Sequence, residues 1–252
     1  MKKPFLNFVV DHMTFLVEPR FYPVTYALFR VIFGLGDEDI IYNKRRKWPG
    51  EHQEKSMTFA ARIGRYEGKA GLDQSIIAVV QPSEPDSQPS HVREMLKNRG
   101  GSAHWQHIAL RTPNLISFHQ YAIERGVNFI TPILKDAEED LIQAFSGEWK
   151  LPGMPPSGIF FEFVQRNPTP DLIEKISANR EAFFRDKTFL GLYQEKEAEY
   201  QSKKVRPFID DELFLRLEKT LAGKPLWELS ERDIKLVEET MKSYAKENSK
   251  AA

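Results

Sequence analysis

The chain has 252 residues, 41% of them apolar and 29% charged, which suits a sizeable core under a solvated surface. Lys and Arg together number 36, as do Asp and Glu, so no net field draws the chain to nucleic acid or an anionic membrane. Cysteine is absent, which excludes disulfides, zinc ribbons, iron–sulfur clusters and thiol nucleophiles and leaves His and carboxylates as the only strong metal ligands.

The basic start, Met1-Lys2-Lys3-Pro4, runs into an apolar stretch that Asn7, Asp11 and His12 interrupt, unlike the unbroken apolar segment of a signal peptide. No run reaches the length of a membrane span, so the expectation is a soluble cytoplasmic protein. Phe5 to Val17 reads as a strand, with Phe8, Val10, His12, Thr14 and Leu16 on one face. Pro23 opens a helical pattern through Val24, Leu28 and Val31, stopped by Gly34 and Gly36. Strand candidates follow at Asp39–Tyr42, Ser56–Ile63 and Ser75–Gln81, then a polar loop and a short helix, His91–Asn98, ending at Gly100-Gly101.

The same order then recurs. Trp105–Arg111 reads as a strand, Thr112-Pro113 as a helix start with Thr as the cap, and Leu115, Phe118 and Ala122 as the apolar face of that helix. Val127–Leu134, Asp140–Phe145 and Gly158–Arg166 are three further strands. The expected fold class is α+β: two βαβββ modules, 5–82 and 103–166, in one domain spanning 5–168. A helical, highly charged extension over 169–247 follows. Its first helix starts at Thr169-Pro170 with Leu172, Ile176 and Phe183 on one face, its second carries Phe214, Leu217 and Leu221, and its third begins at a capping box, Ser230 and Asp233. The tail is expected to pack on the mixed domain or on a second subunit.

Of six histidines, His52 in a polar loop and His119 on a charged-looking helix side read as solvated surface residues. His12 and His107 differ, because each sits in an apolar strand at the start of one module. A lone strand histidine is ordinarily a hydrogen-bonded core residue, but two at matching places of a repeated unit favour ligation. Glu162 lies at the centre of the apolar strand Gly158–Arg166, where a buried carboxylate requires a cation or a proton. A salt bridge to Arg or Lys would satisfy it on that strand alone; with two strand histidines, a 2-His-1-carboxylate triad with open coordination positions becomes the favoured solution.

Val10-Asp-His-Met13, Gln106-His-Ile-Ala-Leu-Arg-Thr112 and Phe160-Phe-Glu-Phe-Val-Gln-Arg166 resemble the three metal-ligand segments of the 4-hydroxyphenylpyruvate dioxygenase family, within the vicinal-oxygen-chelate superfamily. The resemblance covers residues 5–168 and the family's C-terminal, catalytic half. It implies an open barrel around Fe(II) bound by His12, His107 and Glu162, with Gln106 and Gln143 touching an aromatic 2-oxo acid and Phe145 and Phe160 lining its pocket. Dioxygen would be the co-substrate. Ser83 stands where the family has Asn and His91 where it has a substrate-binding Gln. The family's lid helix with its Phe is not recognisable; Phe183 or Phe184 are the available candidates.

Two other functions remain open on the residues. A different metal enzyme of this fold, an extradiol-type ring-cleaving dioxygenase or an isomerase, would need an acid–base group beside the metal, with His104 as the candidate despite an expected loop position. A non-catalytic small-molecule-binding protein is the other. Lys44-Arg-Arg-Lys47 with Trp48 reads as a solvated face rather than a nucleic-acid patch, and the mixed charges of the tail favour packing or homo-oligomer formation over membrane binding.

Overall fold

A computed structural model describes residues 3–64, 75–136, 140–169, 171 and 188–249. The first module runs β1 (Val9–Val17), α1 (Phe21–Ile32), β2 (Ile40–Arg46), β3 (Lys55–Ile63) and β4 (Ser75–Val80). After α2 (His91–Asn98), the second runs β5 (Ala103–Arg111), α3 (Leu115–Ile123), β6 (Leu134–Asp136), β7 (Leu141–Phe145) and β8 (Phe160–Arg166). The tail contributes α4 (Thr188–Ser202), α5 (Asp211–Leu221) and α6 (Glu231–Asn248).

The eight strands of the described residues form one curled half-barrel sheet in the order β2-β3-β4-β1-β5-β8-β7-β6. β1 lies parallel to β4 and β5 parallel to β8, while β1 and β5 meet antiparallel at the centre. Each half thus repeats the other about the β1–β5 seam. There His12 faces Ala109 and Thr14 faces His107, the exchange that a local twofold axis requires if His12 matches His107 and Thr14 matches Ala109.

Helices α1 and α3 cover the convex side. Tyr22, Tyr26 and Phe29 of α1 meet Phe59 with ring centroids 5.2, 5.2 and 6.1 Å away, and Phe118 of α3 meets Phe163 at 4.5 Å. Burial of such aromatic surface dominates the core, and truncating Phe59, 1% exposed, to Ala would cost about 3–5 kcal/mol.

Several expectations need correction. Strand β1 begins at Val9, because Pro4–Leu6 form a short 3-10 turn. The cap of α3 is Asn114, whose side chain accepts from the Ser117 N–H, and not Thr112, whose hydroxyl donates instead to the Phe5 carbonyl. Val127–Leu134 is not a strand: Val127 and Phe129 make only isolated bridges to Ile209 and Ser146, and β6 starts at Leu134. The apolar residues there serve core contacts under α3 and the tail instead of a ladder. Phe8 does not share the face of His12; it packs on Phe118 and Phe163 beneath α3.

The tail docks on the second module through a buried charge cluster. Lys196 of α4, fully buried, donates to Glu148 at 2.5 Å and Glu199 at 3.0 Å, and Glu148 also accepts from the Tyr200 hydroxyl and the Gly158 N–H. Removing one member of such a cluster leaves a buried charge uncompensated, a loss of about 3–5 kcal/mol. The chain after α4 passes so close to the sheet that a Cβ at Gly147 would stand 2.1 Å from the Pro207 carbonyl oxygen. Leu172, Ile176 and Phe183 of the helix expected after Thr169, and the lid candidates Phe183 and Phe184, lie outside the described residues.

Candidate metal centre

His12, His107 and Glu162 come together on the concave face of the sheet from β1, β5 and β8. Oε2 of Glu162 lies 3.2 Å from Nε2 of His12 and 3.3 Å from Nε2 of His107. Donor atoms about 2.1 Å from one ion and near right angles to each other stand about 3 Å apart, so these separations fit one shared cation. The donor set, two imidazoles and one carboxylate, suits Fe(II) and leaves coordination positions open.

A matched pair of β-bulges orients both histidines. The β1–β5 register slips at Asp11 on one strand and at Gln106 on the other, the residues immediately before each histidine. A bulge breaks the strict alternation of side chains, so a residue and its neighbour can act at one place. Asp11 Oδ1 lies 3.1 Å from Nδ1 of His12, and Gln106 Oε1 lies 3.2 Å from Nδ1 of His107. Each Nδ1–H donating to that oxygen leaves Nε2 with its lone pair toward the centre, the tautomer a metal requires. Asp11 is in turn gripped by Arg166, whose guanidinium donates to it at 2.6 and 2.8 Å.

The electrostatics of the two histidines diverge. Burial disfavours the charged form of His12, but the negative charge of Glu162, with hydrogen bonds to Asp11 and Glu162, lifts its pKa to about 10. Burial also dominates at His107 and lowers its pKa against the opposing hydrogen bond of Glu162. Glu162 itself would be raised by burial, yet the His12 charge and the hydrogen bonds of both histidines bring it down to about 2. Without metal, the centre is therefore a His12 imidazolium paired with a Glu162 carboxylate beside a neutral His107, whose Nε2 lies 2.8 Å from the Thr14 hydroxyl.

The twofold relation also shows where a fourth ligand is missing. Ala109 pairs with Glu162 on β8, and its counterpart Thr14 pairs with Ala78 on β4. Ala78 therefore occupies in the first module the place Glu162 holds in the second, and it offers no donor.

The triad opens into a cavity of about 250 Å³ between the two halves of the sheet. Gln106, Gln143 and Phe145 line it, and Gln106 also holds His107. Phe160 does not line it; fully buried, it backs the His107 ring at 5.0 Å and lies under Lys196. His91 lines the cavity, its Nδ1 3.1 Å from Glu197. Lys44, expected on a solvated face, also reaches the wall, because β2 extends to Arg46. Leu192 and Tyr193 of α4 close one side, a contribution that the sequence reading missed because α4 has no marked apolar stripe. His104 belongs to β5 rather than a loop and is not among the lining residues. His52 is exposed as expected, but His119 is half-buried against Phe129, ring centroids 4.2 Å apart, and burial lowers its pKa to about 4.

Neither a family model nor a curated protein matches the chain. Solved structures do. A triple mutant of 4-hydroxymandelate synthase from Streptomyces coelicolor is similar over 77% of this chain, with a TM-score of 0.50 and 19% identity. This is a vicinal-oxygen-chelate fold. The similarity covers 55% of the synthase, so the chain spans about half its length. A methylmalonyl-CoA epimerase matches over 64% of this chain and 95% of its own, with 18% identity and a TM-score of 0.41. The epimerase of Mycobacterium tuberculosis matches over 66% and 91%, with 17% identity and a TM-score of 0.39. Among the described residues no helix is long and apolar enough to cross a membrane.

Proposed function

We propose that this protein is a non-haem Fe(II)-dependent dioxygenase acting on an aromatic 2-oxo acid. The observation that carries the reading is the three-ligand centre with Ala78 in the place of a fourth ligand, which keeps adjacent positions free for a bidentate substrate and dioxygen. The segments around His12, His107 and Glu162 resemble those of the 4-hydroxyphenylpyruvate dioxygenase family, and the fold shared with 4-hydroxymandelate synthase is compatible with it.

Fe(II), when bound, supplies the activation of dioxygen. The chain's own residues hold and orient. By accepting from Nδ1–H, Asp11 and Gln106 turn both Nε2 atoms toward the centre, where metal binding would displace the remaining proton of His12. The Gln143 amide and the Phe145 ring face the cavity where an aromatic substrate would lie, and Leu192 and Tyr193 exclude water from that side.

A second reading, an extradiol-type ring-cleaving enzyme, is supported by His91. Its imidazole lines the cavity and is oriented by Glu197, the arrangement of a general acid–base. Anaerobic reconstitution with Fe(II), followed by oxygen uptake over aromatic 2-oxo acids and catechols, separates the two. Uptake with carbon dioxide release from a 2-oxo acid supports the first, and uptake with a catechol supports the second. Metal retention without uptake on either series points to an isomerase or a binding protein, and failure to retain metal rejects both dioxygenase readings.

A further inference from the structure

The cavity has a cationic wall that the metal centre does not use. Arg62 lies on β3 and pairs with Ile76 on β4, the strand next to β1. Thr58 and Arg62 of β3 line the cavity together with Ile76, Ala78 and Val80 of β4, so both strands turn these alternate residues to the concave side. Two strand spacings separate the backbone of β3 from that of β1, roughly 10 Å, which leaves room for one aromatic ring between the ligands and this wall.

Arg62 is half-buried, and among the described residues no carboxylate lies within ion-pair distance of it. The other guanidinium on the cavity, Arg166, is by contrast engaged by Asp11. Lys44, on the neighbouring strand β2, adds a second cation to the same wall. Among the described lining residues the only carboxylate is Glu162, whose charge belongs to the metal centre. A partly desolvated guanidinium on an apolar wall of Ile76 and Val80 favours a planar oxyanion that its paired N–H groups can grip.

We propose that Arg62 anchors an anionic group at the end of the substrate away from the metal ligands, so that the substrate carries two acidic ends, in the simplest case an aromatic 2-oxo acid with a ring carboxylate. The 2-oxo acid end rests on the proposed function; the anchor at Arg62 does not. A neutral ring, by contrast, would cover this guanidinium without giving it a partner, at a cost in affinity.

Titration calorimetry tests this with 4-carboxyphenylpyruvate against phenylpyruvate, on the metal-free protein and on the protein loaded anaerobically with Co(II). The wild-type protein binds the dicarboxylate at least tenfold more tightly in both forms. Arg62→Met brings that ratio close to 1, and Arg62→Lys, which keeps the charge but not the fork, leaves it in between. A ratio near 1 in the wild-type protein, a ratio that survives in both variants, or failure of the dicarboxylate to bind overturns the proposal. Should Arg62→Met not fold, a lowered ratio in Arg62→Lys supports the anchor and an unchanged one overturns it. Failure of the proposed function reads differently: Co(II) is then not retained, while the ratio on the metal-free protein still reports Arg62.

Discussion

The two modules share a backbone plan down to a bulge before each histidine, but they differ in what that bulge carries. In the first, the carboxylate of Asp11, clamped by Arg166, holds His12 and helps lift its pKa to about 10. In the second, the neutral amide of Gln106 holds His107, and burial prevails. The second module also supplies the ligand carboxylate, where the first has Ala78. Duplication thus places the ligands by symmetry, whereas departure from symmetry sets the charge of the centre and the side left open for substrate.

The harshest way to break this arrangement is Glu162→Ala. It removes the one donor without a counterpart and leaves His12 and His107 alone, with an expected loss of metal affinity on the order of a thousandfold, read by chelator competition. Retention of metal at wild-type affinity would place the site elsewhere. Restoring the symmetry is the complementary experiment: Ala78→Glu puts a carboxylate at the matching position. It should destabilise the metal-free protein by about 3 kcal/mol, since the new charge is buried beside Glu162, and recover stability on metal addition while oxygen uptake is lost. Thermal melts with and without Co(II) decide this; melts that do not respond to metal would show that Ala78 does not face the centre.

Making the bulges chemically alike is milder. Asp11→Asn gives the first module an amide like that of Gln106, and metal affinity is expected to fall about 10–100-fold through the weaker hold on His12. Equal affinity for the variant and the parent in the same titration would mean that Asp11 serves Arg166 alone.

The smallest effect follows from the pKa contrast. The folded pKa of His12, about 10, lies above its ordinary value of 6.5, so its contribution to the metal-free fold is complete below pH 6.5 and is lost as pH rises through about 10. For Glu162, at about 2 and below its ordinary 4.5, the contribution is present above pH 4.5 and lost as pH falls toward 2. The metal-free protein should therefore gain most from this pair between pH 4.5 and 6.5. A metal must displace the His12 proton, so its apparent affinity should rise about tenfold per pH unit up to pH 10. Calorimetry in buffers of different ionisation enthalpy should find about one proton released near pH 7.5; release of none would mean that His12 is already neutral.

The strand candidates Ser56–Ile63, Ser75–Gln81 and Trp105–Arg111 were legible because alternation and turn chemistry are written within a few residues. Val127–Leu134 misled for the same reason. Its apolar residues look like a strand, but partners under α3 and the tail claim them before a ladder can form. His119 misled through its charged sequence neighbours, since its burial depends on Phe129, ten residues on in the chain. Leu192 and Tyr193 carried no signal at all, because α4 is held by the buried pairing of Lys196 with Glu148, a contact between residues 48 apart in sequence.

By itself, the amino-acid sequence determined the repeated strand–helix–strand order, the choice of His and carboxylate as the available strong ligands, and the three residues that best suit a metal. These rest on periodicity and residue chemistry, which act locally. Tertiary structure alone decided that the two bulges coincide across the β1–β5 seam, that Ala78 stands opposite Glu162 about the local twofold, and that Arg62 faces the same cavity from two strands away. Register and curvature are set by how the whole sheet packs, and one residue of slip in either would send these side chains to the other face.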